Sequence, residues 1–573
     1  MAPKNSKKLK VQSVFFENII AVIKHIHQST LPAPYDAILL SIIFGSKASP
    51  VPYSIQDDFR RAGVIHTLVV SGQQVSLILG LCATIFKSFK LPLPLNFLLS
   101  TAANLTFMIM TGAGASIVRS SIMAEIALVG MLIDRQRDAI ISLFVSAVIM
   151  LIINYEYLFD IGFQLSFLAT WALIYLAPKI EKIIKSPILA VSLAPIIATT
   201  PIIAYNFCQI NIISIISNII IVPIVEVLVL LGFITTILGA MFLPFAQILN
   251  YSNLMILKGL LLFVQFFANI PFSQMFVSQF SFVWVICYFA VLFLILRRSS
   301  AKLIILVVIC AFSWSFASGS STSLRQNELK VTFFDVGQGD SILVQTPSHK
   351  NMLIDAGSRY VSTYLHKLGV KTLDLVILTH PHADHICGID RIIREINIKE
   401  IIDNGTIYES YYYKNYMNLL KENKIKLLTG AYGQVIDFGD GAVGTILKGN
   451  INSTTNNNSV VLRLVYGDVS FLFTGDTERE GEENMLERGL NLKSDILKVG
   501  HHGSSTSTSQ PFLDAVVPRT AVISVGAGNK FYHPNTPTIS RLRTAGIEIF
   551  RTDQRGTITV KTDGEKYTVE CAK

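Results

Sequence analysis

Long apolar stretches separated by short polar segments fill the first part of the chain, up to about residue 317. A helix needs about 20 apolar residues to cross the hydrocarbon core of a bilayer, and most of these stretches approach that length. The pattern therefore predicts about nine to eleven membrane spans. They lie at residues 64–86, 93–111, 114–133, 139–153, 161–177, 187–205, 209–222, 224–243, 246–268, 280–296 and 301–317.

Short apolar runs that alternate with turns replace this pattern after residue 325. Runs of this length, bounded by glycine and polar residues, are typical of β-strands. Several of them end in an aspartate or deliver a histidine, and strand ends that meet at one rim can assemble a site from distant parts of the chain. The predicted strands are residues 329–334, 341–345 and 351–354, the hairpin arms 460–466 and 469–473, and residues 495–499.

Composition supports this division of the chain. The 573 residues are 51% hydrophobic and 15% charged, with a mean hydropathy of +0.50, which is more apolar than a soluble protein. Residues 1–324 carry 20 lysines and arginines against 11 acidic residues, and residues 325–573 carry 28 of each. The net charge of +9 therefore belongs to the membrane half, where loop charge explains it, and does not indicate nucleic-acid binding.

Positively charged loops orient the spans, because cytoplasmic loops are enriched in lysine and arginine. The first three clusters are each two spans apart, which predicts that all three are cytoplasmic. Five apolar stretches separate the third cluster from the fourth, so we expect residues 209–222, which Pro223 ends, to dip into the membrane and return. The span at 301–317 then leads out, and everything after Ala317 is predicted to be extracytoplasmic. The clusters are Lys87 and Lys90; Arg135 and Arg137; Lys179, Lys182 and Lys185; and Arg297, Arg298 and Lys302.

A histidine-rich turn follows the apolar run at residues 373–378, which is predicted to be a buried strand. Apolar residues then recur at helical spacing over residues 386–396, so the turn also lies near a helix N-terminus. The turn can hold two divalent ions, one on the histidine pair and one on the aspartate and the third histidine, and these ligands suit zinc or manganese. It contains His380, His382, Asp384 and His385.

Polar and ionisable residues interrupt the apolar stretches of the first half. Such groups are costly in lipid and usually face a cavity or one another. Hydrogen bonding between packed helices is the alternative explanation for any one of them, but their clustering favours a polar pathway. The candidates are His66, Ser71, Gly72, Gln73, Gln74, Arg119 and Gln164.

Two sets of motifs carry a family resemblance. DVGQGD, LIDAG, THPHADH, FTGD, KVGHHGS, YHPN and RTDQRG resemble the metallo-β-lactamase domain of the ComEC family of DNA-uptake proteins. GVIHTLVVSGQQVSLI, GASIVRSSIM and DIGFQLSFLAT resemble the membrane competence domain of that family. The implied fold is a polytopic α-helical membrane bundle followed by an αβ/βα metallo-β-lactamase-fold domain. We place a basic and amphipathic N-terminal segment at 1–35, the membrane competence domain at 36–317, a linker at 318–327 and the hydrolase-like domain at 328–573.

The resemblance also implies site residues. The metal ligands would be His380, His382, Asp384, His385, Asp476 as the bridging carboxylate, and a histidine of the His501 and His502 pair. Asp384, His385, Asp476 and His533 would take part in catalysis, although a structural role for His533 is an equal alternative. Asp335, Asp340 and Asp355 would support the ligands.

One departure from the family pattern concerns the metal. Many enzymes of this fold place a histidine before FTGD, whereas residues 456–459 of this chain are Asn, Asn, Asn and Ser. One of the two metal sites is therefore expected to be weak.

The resemblance implies a bacterial inner-membrane channel that passes single-stranded DNA into the cytoplasm, with an outward-facing metal-dependent domain that hydrolyses phosphodiester bonds. The implied partners are single-stranded DNA, membrane lipids, a DNA receptor and a cytoplasmic helicase or ATPase. Two other functions stay open: a membrane-anchored phosphoesterase that acts on an envelope substrate, and a transporter whose metal domain is degenerate. A β-lactam hydrolase fits least, because it would not need so many spans.

Overall fold

The structure, a computed structural model, describes residues 18–45, 48–134, 138–271, 273–277, 281–296, 327–448 and 454–573. The chain divides into two compact units, one comprising residues 1–277 and 281–299 and the other residues 278–280 and 300–573. The predicted span at 301–317 and nearly all of the predicted linker lie outside the described residues. The domain boundaries at 35, 317 and 327 therefore stay predictions.

Helices make up nearly all of the first unit. Six of those described are long and apolar enough to cross a membrane: Leu93–Met110, Ala115–Leu132, Ile161–Ile184, Pro187–Phe207, Ser214–Met241 and Leu243–Ala268. The helices are α1 (18–28), α2 (Tyr35–Phe44), α3 (Tyr53–Arg61), α4 (Gly72–Ser88), α5 (Leu93–Met110), α6 (Ala115–Leu132), α7 (Ala139–Ile153), α8 (Ile161–Trp171), α9 (Ala177–Ile184), α10 (Pro187–Phe207), α11 (Ser214–Met241), α12 (Leu243–Ala268) and α13 (Phe282–Leu296). A π-helical turn at Ala172–Leu176 joins α8 to α9.

The predicted re-entrant segment at residues 209–222 is wrong. Gln209–Ile210 (β1) pairs antiparallel with Met275–Phe276 (β2), and α11 then continues through Pro223 without a break. Neighbouring helices can satisfy the backbone group that a proline frees, so a membrane helix tolerates it. The apolar stretches on either side of Pro223 are thus one helix. Four helices, α10 to α13, lie between the third and fourth charge clusters in the sequence.

Helix α2 lies at the centre of the helical unit and was not predicted. Ile38, Leu39 and Ile43 are fully buried in a hydrophobic cluster that also contains residues of α11 and α12. Helix α11 approaches closely because Gly232 has no side chain: a Cβ there would lie 2.2 Å from Ile43 Cδ1. A ten-residue helix is too short to be recognised as a span from its hydropathy.

Two mixed β-sheets form the second unit. The eight-stranded sheet has the order β10-β9-β7-β5-β4-β3-β18-β19, and the seven-stranded sheet has the order β11-β12-β13-β14-β15-β16-β17. A two-stranded sheet pairs β6 with β8. The strands are β3 (Leu329–Phe333), β4 (Ile342–Gln345), β5 (Asn351–Ile354), β6 (Thr372–Leu373), β7 (Leu375–Ile377), β8 (Asn397–Ile398), β9 (Glu400–Asp403), β10 (Lys426–Thr429), β11 (Val435–Asp437), β12 (Ala442–Lys448), β13 (Val460–Tyr466), β14 (Val469–Phe473), β15 (Ile496–Lys498), β16 (Thr520–Ile523), β17 (Glu548–Arg551), β18 (Ile558–Thr562) and β19 (Tyr567–Cys571).

Side chains alternate along these strands between an inner and an outer hydrophobic layer. Phe471 and Phe473 join the cluster between the sheets, whereas Leu472 joins the cluster under the helices outside the second sheet. Met352 and Leu353 divide in the same way on the first sheet. The unit is therefore an αβ/βα sandwich, as predicted. Its helices are α14 (Val361–Lys367), α15 (Ala383–Ile386), α16 (Ile389–Glu395), α17 (Tyr411–Asn423), α18 (Arg479–Glu487), α19 (Gln510–Val516), α20 (Thr536–Thr544) and α21 (Thr552–Arg555).

Candidate metal centre and membrane pathway

Four strand ends position the candidate metal centre. Strands β5 and β7 are parallel neighbours, and Asp355 follows the first while the histidine-rich turn follows the second. Strands β14 and β15 are parallel neighbours in the other sheet, and Asp476 and the His501 and His502 pair follow them. Ligand atoms of Asp384, His385, Asp476 and His502 all lie within 4.8 Å of one another.

Asp476 is the centre of this arrangement. Its Oδ2 atom lies 3.3 Å from His385 Nε2 and 3.6 Å from His502 Nε2. The Nε2 atoms of His380 and His501 lie 3.9 and 3.8 Å from the same oxygen. Four imidazoles around one buried carboxylate oxygen are the arrangement expected of a carboxylate that bridges two cations.

Two buried nitrogens test whether the site suits a metal. His385 Nε2 and His502 Nε2 have no hydrogen-bond partner among the described residues, although both are buried. The other ring nitrogen of each histidine is held: His385 Nδ1 lies 2.7 Å from Asp355 Oδ2, and His502 Nδ1 lies 2.9 Å from the Ser524 carbonyl oxygen. A histidine whose Nδ1–H donates presents a neutral Nε2, which is the form that binds a metal. The residues fit a divalent ion.

The electrostatics agree with this fit. Burial lowers the pKa of His385, but the carboxylates of Asp476 and Asp355 raise it well above its ordinary value. Burial raises the pKa of Asp476, but His502 and His385 hold it well below its ordinary value. The site therefore concentrates negative charge that needs a cation, either protons on the histidines or a metal that displaces them.

The second ligand set is less complete. His380 Nε2 lies 3.0 Å from His382 Nδ1, and the Ser459 hydroxyl lies 3.4 Å from His380 Nδ1. Ser459 Oγ also accepts a hydrogen bond of 3.3 Å from the Asp476 backbone N–H. Ser459 thus contacts the Nδ1 atom of His380, whereas the Nε2 atom of that ring faces His382 and Asp476.

A buried lysine contacts a carboxylate beside the metal centre, and it was not predicted from the sequence. Lys498 has a fully buried side chain, and its ammonium bonds Asp340 and donates a 3.0 Å hydrogen bond to the Gly475 carbonyl oxygen. Burial alone raises the pKa of Asp340, but Lys498 and His502 lower it to about 2. Lys498 is the first residue of the KVGHHGS motif. The sequence alone did not indicate that its side chain would be buried.

His501 and His533 lie at the mouth of the centre. His501 Nδ1 lies 3.1 Å from Glu478 Oε1. The ring centroids of His501 and His533 are 5.6 Å apart. His501 and His502 have φ values of 45° and 53°, and such left-handed residues outside glycine are rare and cluster at functional sites. Glu478 is a second contact that the sequence analysis missed.

The structure thus brings together most of the predicted residues of this domain. Asp335 is the exception, because its carboxylate lies 3.7 Å from Lys573 Nζ and accepts a 3.4 Å bond from Gly337 N–H at the edge of the DVGQGD turn. Asp355 bonds Thr379 and His385. The residues assembled are His380, His382, Asp384, His385, Asp476, His501 and His502, with Asp340, Asp355 and His533 around them.

A cavity in the helical unit collects most of the predicted pathway residues. His66, Ser71, Gln73 and Gln74 line it together with Glu226 of α11 and several valine and leucine side chains. The Gln73 amide bonds the Glu226 carboxylate. The sequence analysis missed Glu226, although a lone carboxylate at the centre of the most apolar span is a signal of function.

The two remaining pathway candidates, Arg119 and Gln164, lie in different places. Arg119 lies against Gly72, beside the cavity. Gln164 is not among the residues that line the cavity. Its amide donates instead to the Leu158 carbonyl oxygen at 2.9 Å. The structure therefore does not bring Gln164 into the cluster.

Comparisons with known proteins agree with this architecture. The Competence protein family matches residues 42–302, and the metallo-beta-lactamase superfamily matches residues 334–527. ComE operon protein 3 of Bacillus subtilis (strain 168) is 27% identical over 95% of this chain and 74% of its own length. Competence protein ComA of Neisseria gonorrhoeae is 33% identical over 42% of this chain and 34% of its own length. The solved structure of the metallo-beta-lactamase fold protein YhfI from Bacillus subtilis covers 40% of this chain at 15% identity, with a TM-score of 0.31.

The fold and the two matches define a multi-pass membrane protein that combines a competence domain with a metallo-β-lactamase domain. The chain is similar to ComEC-type competence proteins in both domains, and the resemblance stated from its motifs is confirmed. The metallo-β-lactamase fold implies that it binds a divalent metal.

Proposed function

We propose that the protein is an inner-membrane channel for the uptake of single-stranded DNA, with an extracytoplasmic metal-dependent domain that hydrolyses phosphodiester bonds. The observation that supports a hydrolase activity is that the Oδ2 atom of Asp476 lies within 4 Å of four imidazole nitrogens. The observation that supports the channel is a cavity inside a unit of membrane-spanning helices, whose lining includes His66, Gln73 and Glu226. The name Competence protein ComA agrees with a role in competence.

The centre would hold two divalent ions, zinc or manganese. Asp384, His385 and His502 would hold one ion, His380 and His382 would hold the other, and Asp476 would join them. Such ions activate water near neutral pH and stabilise the charge that grows on a phosphodiester oxygen. With Ser459 in place of a third imidazole, the histidine-pair site would be the weaker one.

The protein's own residues prepare this chemistry. Asp355 fixes the His385 ring through a 2.7 Å bond, so the Nε2 atom points at Asp476. His501 is partly exposed and His533 lies beside it, so both can contact a phosphate oxygen. Burial and the neighbouring imidazoles of His501 and His502 lower the pKa of His533, so it is neutral near pH 7 and can hand on a proton only when a substrate anion raises that pKa.

Orientation follows from the charged loops. With four helices between the third and fourth charge clusters and a crossing at 301–317, residues 325–573 would face away from the cytoplasm. A DNA receptor outside the membrane and a helicase or ATPase in the cytoplasm would complete the machine. A reporter enzyme that works only in the cytoplasm, fused after Lys573, should give no signal; a signal would refute this orientation.

A double variant tests the metal centre. We expect the wild-type fragment 327–573 to bind close to two divalent ions and to cleave DNA without strong sequence preference. His382→Ala with Asp384→Ala should remove metal and activity together, because one ligand leaves each set. Asp335→Ala is the matched control, since its carboxylate contacts Lys573 rather than the centre. Unchanged metal content in the double variant would contradict the ligand assignment.

A further inference from the structure

Two exposed aromatic segments adjoin the candidate metal centre. The tyrosine segment is residues 404–411, and the phenylalanine segment is residues 529–533. Large apolar side chains that stand together in water, rimmed by polar residues, mark binding sites more often than single ones do. The most exposed members of the two segments are Ile407 at 85%, Tyr411 at 50%, Phe531 at 54% and Tyr532 at 85%.

The sheet topology carries both segments to the edge where the metal ligands lie. Strand β9 is the parallel neighbour of β7, and the tyrosine segment follows β9. Strand β16 is the parallel neighbour of β15, and the phenylalanine segment comes after β16. Parallel neighbours end at the same edge of a sheet, where ligands of α/β proteins usually bind. Each segment therefore lies beside the histidines that follow β7 or β15.

Ring contacts connect each segment to a histidine of the centre. The ring centroids of Tyr408 and His382 are 5.3 Å apart, with the planes at 70°. The Phe531 ring lies nearly parallel to that of His533, at 5.9 Å and 15°, and His533 in turn contacts His501. One face of Phe531 is thus turned to an imidazole, and the 54% exposure of this residue leaves the other face to solvent.

Hydrogen bonds to Asn458 hold the tyrosine segment in shape. This asparagine belongs to the run that stands where a histidine was expected. Its amide donates to Thr406 Oγ1 at 2.5 Å, and its backbone carbonyl oxygen accepts a 3.2 Å bond from the Asn404 amide. The Thr406 N–H donates to Asn404 Oδ1 at 3.0 Å. A turn that is already ordered loses little conformational entropy when Tyr408 binds a ligand.

The phenylalanine segment closes around the Asn529 side chain. Asn529 Oδ1 accepts bonds of 3.2 and 3.0 Å from the N–H groups of Phe531 and His533, and Nδ2 donates to the His533 carbonyl oxygen at 2.7 Å. Tyr532 has a φ of 58°, a strained value that the surrounding bonds must hold. Lys530 is exposed and adds a positive charge to the segment. The exposed Phe531 ring is therefore presented by an ordered turn.

We propose that Tyr408 and Phe531 stack on nucleobases of the strand whose phosphate the metal centre cleaves. The inference rests on the proposed hydrolase function and deepens it, because it names a strand with unpaired bases as the substrate. Every base has a π-face, so stacking on aromatic side chains suits a site without sequence preference. In a duplex, neighbouring base pairs cover those faces, and unstacking a base costs free energy.

Oligonucleotides with and without bases test the proposal. The full-length protein in detergent, with a chelator present to stop hydrolysis, would be titrated with a thymidine oligonucleotide that carries one 2-aminopurine, whose fluorescence is quenched by stacking. Tyr408→Ala and Phe531→Ala should each reduce the quenching and weaken binding by about 5- to 150-fold, the range for the loss of one base–aromatic stack. An abasic oligonucleotide of the same length keeps the phosphates, so it should bind wild type and both variants alike.

Conservative and remote changes separate stacking from folding. Tyr408→Trp and Phe531→Tyr keep an aromatic ring and should retain affinity and quenching. Val517→Ala removes an exposed apolar side chain between α19 and the start of β16, at the opposite edge of that sheet, and should change neither. With Mn²⁺ in place of the chelator, the two alanine variants should raise KM for the single strand more than they lower kcat.

Wild-type affinity and quenching in both alanine variants would overturn the proposal, and so would an equal loss of affinity for the abasic oligonucleotide. If oligonucleotide binding is unchanged but the alanine variants lower the Tm of the protein in lipid nanodiscs and not in detergent, the rings contact the bilayer and the proposal is wrong.

Kinetics distinguish the failure of this proposal from that of the proposed function. If the two rings bind bases but wild type with Mn²⁺ hydrolyses no phosphodiester bond, the hydrolase function fails and the base-binding surface stands without it. If wild type hydrolyses the thymidine and abasic oligonucleotides with the same kcat/KM, the hydrolase function holds and only the stacking fails.

Discussion

Replacing Lys498 by methionine should destabilise the metallo-β-lactamase domain more than almost any other single change of similar volume. The ammonium is fully buried and bonds Asp340, and it lies 3.9 Å from Asp476 Oδ1. Methionine fills nearly the same space but removes the ammonium from the buried Asp340 carboxylate, which keeps only the His502 ring, with Nδ1 at 3.4 Å, as a cationic neighbour. The loss is therefore electrostatic, with little contribution from packing.

Two estimates of the magnitude agree. Lys498 and His502 hold the pKa of Asp340 at about 2 against an ordinary 3.8. A difference of about two pKa units corresponds to roughly 2–3 kcal/mol, which Lys498 and His502 share. Removing one partner of a buried ion pair costs about 3–5 kcal/mol in measured cases. We expect a loss of about 3 kcal/mol, a large part of the 5–15 kcal/mol that typically stabilises a domain.

The assay is thermal unfolding of the fragment 327–573, which contains both sheets and their hydrophobic clusters, in the presence of a chelator. For a domain of this size, about 3 kcal/mol corresponds to a fall in Tm of about 6–12 °C. Adding Asp340→Asn to Lys498→Met should recover most of the loss, because no buried charge then remains unpaired. A Tm within about 2 °C of wild type for Lys498→Met alone would refute the reasoning.

Two further changes test other parts of the domain. Ser459→His should supply the missing imidazole beside His380 and tighten the weaker metal site by more than about tenfold in equilibrium dialysis, whereas unchanged affinity would place that site elsewhere. Burial raises the pKa of Glu395, but its 3.2 Å contact with His366 and its bond to Arg391 lower that pKa overall. This carboxylate therefore stabilises the fold above its unfolded pKa of about 4.3. The stabilisation is lost as the pH falls through the lower pKa of the folded state. Glu395→Gln should therefore lower Tm at pH 7 and flatten its fall below about pH 4.5, and parallel Tm profiles would contradict this assignment.

Most residues that the structure brings together at the candidate metal centre could be named from the sequence, because they are neighbours in the chain or lie at strand ends. Three imidazoles and a carboxylate within six residues need no tertiary information. Asp476 and the His501 and His502 pair each follow an apolar strand, and parallel neighbours bring such ends together. Asp335 also follows a strand, but it opens a turn whose far end, Asp340, is the residue that reaches inward.

Features that depend on packing between distant segments could not be predicted. Helix α2 is shorter than a span and is central only because α11 and α12 surround it. Pro223 reads as a helix end in a single sequence, whereas the bundle carries the helix through it. The contacts of Glu226 with Gln73 and of Lys498 with Asp340 join residues far apart in the chain, so spacing alone held no sign of them.

The central claim is that this chain carries DNA across the membrane. It is tested most directly by the entry of radiolabelled double-stranded DNA into cells that lack the protein, measured as label protected from added nuclease in the cytoplasmic fraction. We expect DNA still to bind the cell surface, cytoplasmic label to fall to background, and the wild-type gene to restore it. Cytoplasmic label at the wild-type level in the deletion strain would show that this chain is not required for DNA entry and would leave it as an anchored hydrolase.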